Sequence, residues 1–178
     1  MPEESIKLLA YLIAEGHIAN SYCLFSNNDK IIYEDFCNSV KKFDENLKVV
    51  EWPKGKEGCY GVTQKKKRYE LLNPKKNELG QVLGPGIKYG KSSIVKWLTD
   101  LGVYGKLAKE KTLSKEILML KEEQLALFLN RLFSCDGSLY CKKTNSGKTW
   151  QISYSSSSEK LIRQVQSLLL KFEIISRL

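Results

Sequence analysis

The apolar positions of this 178-residue chain fall into blocks with two different periods. In the first block Ile6, Leu9, Ala10 and Ile13 recur at the i, i+3, i+4, i+7 spacing of one helix face, which predicts a helix over 3–15. Leu8, Tyr11 and Leu12 are apolar too, so this helix has almost no face for water and should be buried. Glu3 and Glu4 suit its positive end, and Gly16 offers a C-terminal stop. A second helix is expected over 30–43, with Ile31, Ile32, Phe36, Val40 and Phe43 on one side. A third is expected over 92–101, capped by Ser92 or Ser93 and stopped by Gly102. Residues 121–136 repeat the strong pattern of the first block through Leu125, Phe128, Leu129 and Leu132, with Phe133 beside them and Gly137 closing the run. Residues 161–172 read as the last helix.

Strands are expected near 18–25, 47–52, 59–64 and 69–72, and over 139–143 and 149–155 around the turn signal Asn145-Ser146-Gly147. Ile174 and Ile175 read as the start of one more, and the glycine-rich stretch 77–91 as loop. Strands and helices do not alternate as βαβ units, so the fold class is α+β.

Composition narrows the classes. With 42% apolar, 10% aromatic and 28% charged residues, the chain can build a core and is not a disordered tail. Its longest apolar run, Leu8 to Ala14, is seven residues, too short to span a membrane. The start Met1-Pro2-Glu3-Glu4 is acidic where an export signal needs basic residues, so a cytoplasmic protein is expected. The five cysteines, at 23, 37, 59, 135 and 141, form no Cys-x-x-Cys, which fits reduced thiols better than a disulfide scaffold or structural zinc. His17 stands alone, which excludes a histidine zinc triad.

The net charge of +9 is concentrated. Residues 1–60 carry 7 bases and 10 acids, whereas residues 61–115 carry 13 bases and 4 acids. The central stretch holds Lys65-Lys66-Lys67-Arg68 and a further series of lysines. Such a patch attracts phosphate polyanions and releases their counterions; it also suits a merely solvated face. Gly84 to Ser92 superficially resembles a phosphate-binding loop, but the position five before Gly90 is Pro85 rather than glycine, and the spacing fails.

The sharpest feature is a repeat. Leu8-Leu9-Ala10-Tyr11-Leu12-Ile13-Ala14-Glu15-Gly16 matches Leu129-Asn130-Arg131-Leu132-Phe133-Ser134-Cys135-Asp136-Gly137 in pattern. Each is a hydrophobic helix that ends in a carboxylate, where the helix already carries partial negative charge. Such a breach of the local rule is characteristic of functional sites. If the two apolar stripes pack together, Glu15 and Asp136 emerge side by side, and two adjacent carboxylates suit Mg²⁺, which takes oxygen ligands and keeps waters. A site of this kind activates water for phosphoryl displacement.

These two segments resemble the signature of the LAGLIDADG homing endonucleases, specifically the kind embedded in inteins. Leu101-Gly102-Val103-Tyr104-Gly105-Lys106, Glu110-Lys111-Thr112-Leu113, and the stretch from Leu168 to Leu178 resemble further blocks of that family in order. The resemblance implies two αβ halves about a pseudo-twofold axis, with the signature helices at their interface and curved sheets straddling duplex DNA. The expected division is a first half over 1–120 and a shortened second half over 121–178. The implied activity is site-specific double-strand DNA cleavage with Mg²⁺ held by Glu15 and Asp136, and Lys111 matches the family's active-site lysine. The implied state is a monomer inserted, through its intein, in a host protein. Base readout is expected from strand residues, with Lys65, Lys67 and Arg68 as candidates in the first half and Lys142, Lys148 and Gln151 in the second.

Several positions depart from the family pattern. The first acid is Glu rather than Asp; Arg131 stands where a small residue is usual, Ser114 where proline is usual, and Glu173 where glycine is usual. Only 42 residues follow Asp136, so a second half without its later strands, last helix and second basic residue is expected. That shortness favours the alternative, a non-cleaving or maturase-like nucleic-acid binder on the same fold.

Overall fold

The computed structural model describes residues 1–18, 23–66, 69–71, 76–82, 87–144 and 147–178, those at 69–71, 87–89 and 144 without their side chains. Its elements run α1 (Glu3–Glu15), β1 (Gly16–His17), β2 (Leu24–Ser26), α2 (Lys30–Phe43), β3 (Leu47–Glu51), β4 (Cys59–Gln64), β5 (Tyr69–Leu71), β6 (Ile87–Tyr89), α3 (Ser93–Asp100), α4 (Lys115–Leu118), α5 (Glu122–Asp136), β7 (Gly137–Thr144), β8 (Gly147–Tyr154) and α6 (Glu159–Leu170). The expected α+β class is what folds.

The two acid-terminated helices form the spine. Ile6 and Leu8 to Ile13 of α1 are buried without a break, as the all-round apolar pattern requires. Leu125, Phe128, Leu129 and Leu132 of α5 are buried against it. The two helices run in parallel, and three contacts fix the register. At the start, Gln124 Nε2 donates to the Met1 carbonyl at 2.8 Å. In the middle, Arg131 Nε (2.7 Å), Tyr11 Oη (2.7 Å) and Lys7 Nζ (3.1 Å) all donate to the Asp35 carboxylate of α2. At the end, Glu15 and Asp136 come within electrostatic reach of each other.

Each spine helix leads into the same motif. Gly16 pairs with Phe25 in an antiparallel ladder, and four residues after Phe25 the Asp29 side chain caps α2. Gly137 pairs with Tyr154, and four residues after Tyr154 the Ser158 side chain caps α6. This repeat gives the two halves of the fold their pseudo-symmetry. The halves are unequal, because β1–β2 continue into a four-stranded sheet of order β1-β2-β4-β3, while β7–β8 remain a two-stranded ribbon. Leu139, Trp150 and Ile152 of that ribbon are all more than 60% exposed.

Gly16 and Gly137 end their helices as expected, both in extended backbone, with φ of −80° and −88°. Glycine is needed because a Cβ at either position would press inside the contact distance of a backbone carbonyl of the preceding turn, that of Leu12 or of Phe133. Gly137→Ala should therefore cost about 1–3 kcal/mol, readable by thermal or urea unfolding. Against expectation, Ile31 is 79% exposed, since the buried stripe of α2 runs through Phe36 and Val40 and Ile31 lies about 140° from the first and about 180° from the second around the helix. The stretch 77–91 is not all loop: Ile87–Tyr89 pairs with Tyr69–Leu71. Ile174 and Ile175 form no strand; they follow the turn that ends α6. The expected strand 18–25 is seen only from Leu24 onward, preceded by β1, with 19–22 outside the described residues.

That turn has its own strain. Glu173 N–H donates to Leu170 O and Ile174 N–H to Leu169 O, the pattern of a Schellman motif. It puts Glu173 at φ = 59°, the left-handed region where glycine is at ease. Glu173→Gly should thus stabilise the fold by about 0.5–1 kcal/mol, seen as a higher melting temperature.

Candidate active site

Glu15 is the last residue of α1 and Asp136 the last of α5, so parallel packing of the helices carries both carboxylates to one end. Neither helix has a basic residue in its last turn. The end of the spine therefore gathers two carboxylates and the negative poles of two helix dipoles. Burial raises the Glu15 pKa; the Asn27 hydrogen bond lowers it, Asp136 raises it and Lys111 lowers it. Burial also raises Asp136, and Lys111 opposes that rise. The neighbouring Cys135 thiol is pushed up to about 12, chiefly by burial and then by the two acids.

Lys111 comes from the segment between a 3₁₀ turn at Ala108–Glu110 and α4. Its Nζ donates to the carbonyls of Ile13 at 2.8 Å and Ala14 at 3.1 Å. It thus supplies across space the C-terminal cation that α1 lacks in its own sequence. Burial lowers the Lys111 pKa, while Asp136 and Glu15 pull it up. The structure brings Glu15, Asp136 and Lys111 into one electrostatic cluster.

Asn27 was not foreseen from the sequence. Its Nδ2 donates to Glu15 Oε2 at 2.9 Å. Its Oδ1 accepts from Asp29 N–H at 2.7 Å, and its own N–H donates to Gly58 O at 3.0 Å. Held on both sides, it fixes one oxygen of Glu15. An Asn-x-Asp before a helix is the available sequence signal, but it reads as a turn; only the fold turns the amide toward Glu15.

The donor set fits a hard divalent cation. Among the described residues no group of three or more His, Cys, Asp or Glu side chains gathers at one point. A site built of protein ligands alone is therefore not present there, while two desolvated carboxylates match Mg²⁺, which binds through one or two carboxylates and keeps its other positions for water and phosphate.

The candidate readout residues divide by face. Strand alternation puts Tyr140, Lys142 and Gln151 on one face of the β7–β8 ribbon, Tyr140 opposite Gln151 and Lys142 opposite Thr149. Lys148, opposite Lys143, lies on the other face with Tyr154, whose ring packs 5.2 Å from Phe133 of α5. Lys65 follows β4, and its Nζ donates to Glu45 O at 2.7 Å. Lys67 and Arg68 lie outside the described residues. On the first sheet, Lys48 and Thr63 pair on the face away from the buried Phe25, a basic position that sequence alone did not single out. His17 is exposed on β1.

Residues 123–178 match the model of the LAGLIDADG-like domain. The match takes in α5 with Asp136, the β7–β8 ribbon and α6. Over these residues the chain carries a LAGLIDADG-like domain. It is 30% identical over 183 residues to the replicative DNA helicase DnaB of Synechocystis, an alignment that covers 100% of this chain and 18% of that protein. It is 37% identical over 98 residues to DnaB of Rhodothermus marinus, covering 54% of this chain and 10% of the helicase. A replication factor C small subunit of Methanocaldococcus jannaschii aligns at 23% over 178 residues, covering 99% of this chain and 8% of that protein. The chain thus spans less than a fifth of the length of these relatives. No helix among the described residues is long and apolar enough to cross a membrane.

Proposed function

We propose that this chain is a site-specific double-strand DNA endonuclease of the homing type, carried within an intein of a longer host protein. The observation that carries the reading is the parallel pairing of α1 and α5, which ends in Glu15 and Asp136 coupled to each other and to Lys111. In this reading Glu15 and Asp136 hold Mg²⁺ between the half-domains 1–120 and 121–178. When bound, the ion supplies a Lewis acid that activates water and offsets charge on the scissile phosphate.

The chain's own residues do the rest. Asn27 fixes the Glu15 carboxylate, and the Lys111 ammonium adds positive charge where the phosphate would approach two acids. The face bearing Tyr140, Lys142 and Gln151, with Lys48 on the first sheet and Lys65 just past the end of β4, contacts the duplex, and the molecule acts as a pseudo-symmetric monomer. The alignments, each a small fraction of a much longer relative, agree with an embedded module.

A second reading is a nucleic-acid binder on the same fold that does not cut. Incubating a supercoiled plasmid library of random inserts with the protein and Mg²⁺ separates the two. The endonuclease reading predicts linear product whose ends share one sequence; intact plasmid under conditions of tight duplex binding favours the binder. Both readings predict that log affinity for duplex falls linearly with log salt, by about 0.9 per phosphate neutralised, measurable by fluorescence anisotropy.

A further inference from the structure

Lys111 belongs in sequence to the segment before α4, yet its main chain is held by α6. Ser158 is 0% exposed, and its Oγ donates to Lys111 O at 2.7 Å while accepting from Leu161 N–H at 3.2 Å. Gln164, about one and two-thirds turns further along α6, accepts from Leu113 N–H through Oε1 at 2.9 Å. The two bonds bracket residues 111–113 and lay them along α6. From there the Lys111 side chain reaches Ile13 O and Ala14 O at the end of α1. The matching cap in the first half, Asp29, is exposed and its side chain accepts from Ile31 and Ile32 N–H within its own helix.

We propose that Ser158 and Gln164 are positioning residues that aim the Lys111 ammonium at the end of α1, beside the acid pair. The inference rests on the reading of Lys111 as a working residue of the site. It makes the lysine's placement depend on α6 being docked, so the cation reaches the acids only in the assembled molecule. A serine that only capped α6 would need an acceptor for Leu161 N–H and no donor at all.

The test is site-resolved acetylation of lysines in the full chain, read by mass spectrometry without metal or DNA. Ser158→Gly keeps most of the capping stability but loses the donor, and Gln164→Ala loses the acceptor. Each should label Lys111 about fivefold faster relative to the other lysines, the scale of one lost hydrogen bond. Gln164→Glu retains an acceptor and should label as the parent does. On cleavable DNA the first two variants should lower kcat and leave KM unchanged. The proposal is overturned if Lys111 labels at the parental rate in both, or if all lysines accelerate together, which would mark the contacts as general packing. Should the parent chain leave DNA intact, the endonuclease reading falls, and the labelling still decides the positioning.

Discussion

Replacing Asp136 by Asn, or Glu15 by Gln, is expected to cut Mg²⁺-dependent DNA cleavage by at least about 100-fold, with duplex affinity unchanged or slightly tighter. Each change keeps the side chain's shape, turns one acceptor oxygen into a donor and removes one negative charge from a donor set that has no third carboxylate among the described residues. Stability should move the other way. Burial, together with repulsion at Glu15, raises both acids, so their ionisation is harder in the folded state than in the unfolded chain. Their favourable contribution is complete below the ordinary carboxylate range and is lost as pH rises through the raised folded values. In metal-free buffer near pH 7 either variant should therefore melt higher than the parent, while added Mg²⁺ should raise the melting temperature of the parent more than that of the variants. A thermal melt series with EDTA and with Mg²⁺ reads both effects. Variants that cut as well as the parent would remove the acids from the chemistry.

The second large effect is expected at Asp35. Its carboxylate is 24% exposed and takes hydrogen bonds from Lys7 and Tyr11 of α1 and Arg131 of α5. Burial acts to raise its pKa, but the three hydrogen bonds together outweigh burial and hold it below the usual carboxylate value. Stability from Asp35 is therefore present at neutral pH and lost as pH falls through the depressed folded value. Asp35→Ala takes the partner from a half-buried guanidinium and a buried phenol at the junction of three helices, and leaves the Lys7 ammonium with Glu3 alone. The expected cost is about 2–3 kcal/mol after allowance for solvent access, measured by urea unfolding. Removing Arg131 as well should recover part of that loss, because the guanidinium that lost its carboxylate goes with it; a double-mutant cycle reads the recovery as non-additivity.

Asp35 also explains how Arg131 fits where a small residue is usual. Its side chain leaves the α1–α5 contact and reaches α2, so the seam remains Leu125, Phe128, Leu129 and Leu132. That arrangement was not legible in the sequence, because positions 35 and 131 are 96 residues apart and Asp35 lies in no motif that would point Arg131 toward it. The same holds for Asn27, Ser158 and Gln164, whose partners are set by packing. What the sequence did carry was local. Burial of α1 followed from its lack of a polar face, and the two acid–glycine ends from their repeated pattern. Ile31 went astray because adjacent isoleucines cannot both sit on one helix stripe, and periodicity alone did not choose between them. The glycines were seen as helix stops, but the reason they must be glycine, a carbonyl pressed against the missing Cβ, is a tertiary fact.

The central claim, that the tips of α1 and α5 form one shared cation site, is tested most directly by Mn²⁺ titration of isotopically labelled protein with amide broadening read by NMR. Selective broadening is expected at residues 14–17, 111–112 and 135–138 together, displaced by Mg²⁺ and weakened in Glu15→Gln and Asp136→Asn alike. Broadening at only one of the two helix ends, or centred elsewhere on the molecule, would contradict it.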